Sequence, residues 1–148
     1  MTLRLSDFLP FRLSVLSNTV SQRIADRYAA DFALSVPQWR VMAVLGETPG
    51  LSASQLTERT AMDKVAVSRA VAALIEAGRL RRTASETDGR RSLLHLTEEG
   101  QRLYDIIAQM AAEYERDLLA SLDEKDRNAL HRILEVLARE ASPERPLW

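Results

Sequence analysis

The sequence contains no cysteine, which excludes a disulfide framework, a thiolate metal site and a thiol redox switch. Glycine and proline number five each in 148 residues, too few for a linker or a disordered chain. With 28% charged residues, this composition fits an ordered, helix-rich protein. No stretch approaches the roughly 20 uninterrupted apolar residues of a membrane span. The opening residues carry Arg4, Asp7 and Arg12 where a signal peptide requires an unbroken apolar run, so the expected location is the cytoplasm, without a membrane partner. Catalytic equipment is missing too: there is no Gly-rich phosphate loop, the two histidines are far apart, and no carboxylate pair shares an apolar face. The expectation is therefore no enzyme, no catalytic residue and no cofactor. His131 and Glu135 stand four apart on one predicted helix but lack a third ligand, so no metal site is expected.

What is present is unevenly distributed. The net charge is only −1, which by itself speaks against nucleic-acid binding. Between Arg59 and Arg91, however, eight basic residues stand against four acidic ones, and from Glu98 onward seven basic stand against twelve acidic. A basic central segment beside an acidic C-terminal one is the charge pattern of a DNA-binding face carried on an acidic frame.

Apolar residues make up 46% of the chain and are placed periodically. Leu13, Leu16, Val20, Ile24 and Tyr28 recur every three or four residues, which predicts a long helix with an apolar stripe that must pack on something. Ser35-Val-Pro-Gln38 reads as a capping box opening a second helix through Trp39, Val41, Met42 and Leu45. Ser52-Ala-Ser-Gln55 opens a third, short helix to about Thr60, and Asp63 caps a fourth, Lys64 to Ala77, which Gly78 ends. Two short helices joined by about three residues make a helix-turn-helix. Basic and apolar residues from Leu80 to Thr83, the loop Ser85 to Ser92 with Asp88-Gly89 as a two-residue turn signal, and Leu93, Leu94 and Leu96 then predict a small hairpin, a wing. Thr97-Glu-Glu starts a long helix with the stripe Leu103, Ile106, Ile107, Met110, Tyr114 and Leu118. Asp123 caps a last helix through Leu130, Ile133, Leu134 and Leu137. The fold class is mainly α with a β-hairpin wing.

On the fourth helix, Val67, Val71 and Leu74 share one face, and Lys64, Val65, Ser68, Arg69 and Ala72 share the other. The second face is small and basic, as a helix in the major groove requires. Arg69 or Lys64 can donate to guanine N7 and O6, Val65 can touch a thymine methyl, and Ser68 can serve a base edge or phosphate. Arg90 and Arg91 at the hairpin tip can reach a minor groove, with Asp88 orienting one of them through an ion pair. Arg79, Arg81 and Arg82, at the base of the wing, suit phosphate. His95, on the second wing strand, reads as structural or near phosphate.

Ser35-Val-Pro-Gln-Trp-Arg-Val-Met42, Ala61-Met-Asp-Lys-Val-Ala-Val-Ser-Arg69, Leu74-Ile-Glu-Ala-Gly78, Asp88-Gly-Arg-Arg91 and Leu96-Thr-Glu-Glu-Gly100 resemble the MarR family over roughly residues 8 to 140. The Asp-x-Arg-Arg wing is the most specific part. The resemblance implies a homodimer with interleaved terminal helices (1–34 and 97–141), two winged helix-turn-helix lobes (35–96) on a pseudo-palindromic operator, and repression relieved by a small, often aromatic and anionic ligand. Apolar stripes on the terminal helices independently call for a partner chain, because they exceed what one small lobe can cover. The family's ligand pocket lies between the dimerisation helices and the lobe, so Arg12, Ser17, Trp39 and Arg40 become candidates, although Trp39 is more often simply a core residue and Arg40 a surface ion pair. The absence of cysteine and an aromatic lining point to a phenolic acid or its thioester. Residues 142–148 read as a flexible tail. A winged helix that meets proteins instead of DNA is the alternative.

Overall fold

The computed structural model describes residues 2–148. A short 3-10 turn, Leu5–Asp7, leads into α1 (Leu9–Phe32), whose Pro10 sits in the first turn where its missing N–H is no loss. Then follow α2 (Val36–Glu47), α3 (Ala53–Thr60), α4 (Lys64–Glu76), β1 (Leu80–Ala84), β2 (Ser92–Leu96), α5 (Glu98–Leu119) and α6 (Glu124–Ala141). The chain forms two compact units, divided between Ala111 and Ala112 within α5.

In the first unit the helix starts are set by side chains. Ser35 and Ser52 each accept from the backbone N–H of a glutamine three residues on, at 3.3 and 3.2 Å, and Gln38 and Gln55 return the bond, forming both expected capping boxes. Asp63 accepts from Ala66 N–H at 2.8 Å and opens α4. Thr97 serves two helices: its hydroxyl donates to the Gly78 carbonyl at 2.7 Å beyond the end of α4 and accepts from Gly100 N–H at 3.0 Å in the first turn of α5.

Those starts aim the apolar faces inward. Tyr28, Met42, Leu45, Leu56, Val67, Val71, Leu74, Leu94 and Ile107 are fully buried in one core shared by α1, α2, α3, α4, α5 and the hairpin. Each such side chain contributes about 1.5–3 kcal/mol of burial. The stripe predicted on α1 divides. Ile24 and Tyr28 pack into the core, whereas Leu13 and Leu16 remain 43% and 58% exposed.

The hairpin pairs Leu80 with Leu96 through to Ala84 with Ser92, antiparallel. Asp88-Gly89 does not form a two-residue turn. The strands stop at Ala84 and Ser92, and residues 85–91 make a longer loop closed by Ser85 N–H to Arg91 O at 2.9 Å. Ser85 Oγ accepts from Asp88 N–H at 3.3 Å, so a hydroxyl-stabilised turn replaces the tight turn that Asp-Gly alone signals. Leu51 adds a single-residue third bridge: Leu94 N–H donates to Leu51 O at 2.8 Å, and Gly50 N–H to Leu94 O at 3.0 Å. This ties the connection between α2 and α3 to the wing.

In the second unit, Asp123 caps α6 through Asp126 N–H at 2.7 Å, and Arg127 Nε donates to the Leu119 and Leu122 carbonyls at 3.0 Å each. The tail read as loose from its composition turns back on α6. Trp148 Nε1 donates to Glu135 at 2.7 Å, and Ser142 Oγ donates to the Arg145 carbonyl at 2.8 Å.

Candidate nucleic-acid interface

The α3–α4 pair is joined by residues 61–63, with Ala61 in the left-handed region at φ 53° to turn the chain sharply. Val67, Ala70, Val71 and Leu74 fix α4 to the core, so its opposite side faces outward as the periodicity predicts. Lys64, Val65, Ser68, Arg69 and Ala72 are all exposed, Val65 by 58%. Lys64 and Ser68 border a groove of about 390 Å³ shared with α3, and Arg69 borders one of about 380 Å³ shared with the start of α2. At 100° per residue, Val65 and Ala72 stand between those two flanks. The helix is thus a ridge with a cation on each flank and an apolar crest.

The wing loop is organised by its backbone. Arg90 N–H donates to Asp88 Oδ1 at 3.1 Å, and Arg91 N–H to the Asp88 carbonyl at 2.9 Å. The expected ion pair from Asp88 to an arginine is therefore not formed; its carboxylate holds the turn instead. Among the described residues, the side chains of Lys64, Arg69, Arg81, Arg90 and Arg91 have no hydrogen bond or ion pair within the chain, and all five are exposed. Cations without internal partners are the ones able to neutralise phosphate. Arg82 lends one nitrogen to Ser92 Oγ at 3.1 Å and stays exposed.

One basic-segment residue departs from its sequence reading, and His95 keeps one of the two roles read for it. Arg79 turns away from the phosphate role expected at the wing base and donates to the Phe32 carbonyl at the end of α1. His95 is structural, with Nε2 3.0 Å from Thr83 Oγ1 and its ring packed over Gly50.

The ligand candidates are brought together only in part. Trp39 lies among the core aromatics, 6.2 Å from Tyr28 and stacked on Tyr104 at 5.9 Å and 23°. Tyr104 in turn lies so close to Gly46 that a Cβ there would come within 2.5 Å of the ring. Arg40 bonds Ser21 Oγ at 3.4 Å, one turn beyond Ser17 on the same helix face, while Arg12 and Ser17 are exposed. Burial raises the Tyr28 hydroxyl pKa from 10.0 to about 12, against the opposing pull of Arg40. Sequence reading missed Ser21 and Tyr104; Tyr104 lies off the counted stripe of α5, and nothing local marks either residue.

A capped two-helix turn with an outward basic ridge, braced by a hydrogen-bonded hairpin, defines a winged helix-turn-helix protein. The sequence profile of the MarR family matches residues 34–91. A protein of Thauera aromatica, named for transcriptional regulation of the hcr operon, is 32% identical over 102 residues, covering 69% of this chain. The chain spans 61% of that protein's length. Among solved structures, one named as a transcriptional regulator of Pseudomonas aeruginosa is 32% identical, covers 90% of this chain and 99% of its own, and superposes with a TM-score of 0.71. A MarR/EmrR family regulator of Acinetobacter sp. ADP1 is 26% identical over 95% of this chain and 99% of its own, with a TM-score of 0.85. The chain belongs to the MarR family of transcriptional regulators.

Proposed function

We propose that the protein is a homodimeric, sequence-specific repressor whose two α4 helices read a pseudo-palindromic duplex and which a small aromatic acid or thioester releases. The observation that carries DNA reading is the exposed ridge of Lys64, Val65, Ser68 and Arg69, whose two cations have no partner within the chain. Lys64 and Arg69 donate to base edges, Val65 meets a thymine methyl, and Ser68 meets a base edge or phosphate. Arg81 and Arg82 hold phosphate, and Arg90 and Arg91, on the loop that Asp88 organises, enter the minor groove. A dimer is supported by the apolar rows left exposed: Leu9, Leu13 and Leu16 on α1, and Leu130, Ile133 and Leu137 on α6. Two-fold symmetry then sets the recognition helices one DNA turn apart, about 34 Å.

Effector release is supported by the aromatic cluster of Tyr28, Trp39 and Tyr104 with Arg40 at its margin, a cation suited to a carboxylate. Arg12 and Ser17 belong to this site only as its outer rim.

Fluorescence anisotropy over a salt series, on DNA upstream of the protein's own gene and on scrambled DNA, tests the reading. Arg69→Ala is expected to relax sequence preference, and Arg90→Ala to weaken binding with a salt slope shallower by about one. Unchanged affinity in both variants rejects DNA reading in favour of a protein-binding winged helix. Benzoates, cinnamates and their thioesters added to the wild-type complex test release.

A further inference from the structure

Arg79 stands apart from the outward cations. It follows Gly78, whose φ of +72° closes α4 in a Schellman motif: Gly78 N–H donates to Ile75 O at 3.0 Å and Arg79 N–H to Leu74 O at 2.8 Å. The Arg79 carbonyl accepts from Thr97 N–H at 3.1 Å, and Gly100 of α5 lies directly against it. Its half-buried guanidinium donates to the carbonyl of Phe32, the last residue of α1, 47 positions earlier. That carbonyl is one a helix end leaves unpaired, and a cation there also meets the negative end of the helix dipole. One residue thereby joins the end of the reading helix, the root of the wing, the start of α5 and the end of α1.

We propose that Arg79 is a positioning residue for two-site DNA recognition. Its guanidinium fixes α4 and the wing relative to α1, the helix whose exposed apolar rows face the second copy, and so sets the separation and tilt of the two reading heads. This rests on the homodimeric DNA-reading function proposed above. A lobe on one half-site is free to find its own tilt. Two lobes on one operator must match a fixed spacing, so loss of the brace is felt only there.

The test uses the full chain and two duplexes, carrying one or two copies of a half-site that the wild-type protein selects from a random-sequence pool. Arg79→Met is expected to lose about tenfold in affinity on the two-copy duplex, within the range of coupling changes, and under about twofold on the one-copy duplex. The salt slope stays that of wild type. Arg79→Lys keeps a donor of shorter reach, and its expected loss is about threefold, again only on two copies. Equal losses on both duplexes reduce Arg79 to local structure and overturn the proposal. So does unchanged binding, and so does a slope shallower by about one, which marks a phosphate contact. If Arg79→Met does not melt cooperatively, Arg79→Lys decides by the same comparison. A wild-type protein with no preference for the selected duplex over scrambled DNA instead brings down the DNA reading itself.

Discussion

Replacing Gly100 with alanine separates two opposing physical effects by sign. Gly100 lies in the first turn of α5, and helix propensity alone says that alanine there stabilises by up to about 1 kcal/mol. The structure says the opposite, because a Cβ at Gly100 runs into the Arg79 carbonyl oxygen, a backbone atom that cannot rotate away. That oxygen is also engaged by Thr97 N–H at 3.1 Å. Overpacking costs about 1–3 kcal/mol, and a weakened hydrogen bond adds about 1 kcal/mol. Set against the propensity gain, the net expectation is a loss of about 2 kcal/mol, or a fall in Tm of roughly 4–8 °C for a chain of this size. Thermal melts followed by far-ultraviolet circular dichroism, at matched protein concentration, measure it. Gly89→Ala in the wing is the control: a Cβ there meets nothing within 4 Å. A Gly100→Ala variant that melts at or above wild type, beside a neutral Gly89→Ala, refutes the close contact.

Three further outcomes follow from the same geometry. Ser35→Ala and Ser52→Ala each remove a capping-box acceptor and are expected to cost about 1 kcal/mol in urea unfolding, adding together because they cap different helices. Ala61→Gly relieves an L residue held at φ 53° and is expected to raise stability by up to about 1 kcal/mol, read in the same melts. Tyr28 ionises near 10 when unfolded and about 12 when buried, so its contribution is complete below pH 10 and is lost as pH rises toward 12. Urea midpoints from pH 9 to 12, compared with Tyr28→Phe, isolate a loss of at most about 2–3 kcal/mol.

What the sequence made legible was local. Ser35, Ser52 and Asp63 announce their helices because a cap is made within three residues, and the exposed face of α4 follows from 100° per residue once Val67 and Leu74 are known to point inward. Non-local partners left no such trace. Leu51 bridges Leu94 as a single residue, too short for any periodicity, between the end of α2 and the cap of α3. Arg79 reads as one more wing cation because its partner, the Phe32 carbonyl, is created only when α1 ends beside the hairpin. The Asp88-Gly89 signal misled because Ser85 and Asp88 offered the backbone a wider hydrogen-bonded loop. Arg40 finds its α1 partner in Ser21, one turn beyond the candidate Ser17, because a contact between two helices is set by how they pack and not by either helix's own pattern.

The hydroxyl of Thr97 has a consequence for anyone exchanging parts between regulators. By donating to the Gly78 carbonyl and accepting from Gly100 N–H, one oxygen closes α4 and opens α5. A chimera that grafts this reading head onto another regulator's long helices, cut anywhere between residues 79 and 97, separates Gly78 from its partner. Where the incoming residue is Ser or Thr the seam heals; where it is Val or Ala both helices fray at once. The reading head is portable only as residues 35–100, with the first turn of the next helix carried along as part of it.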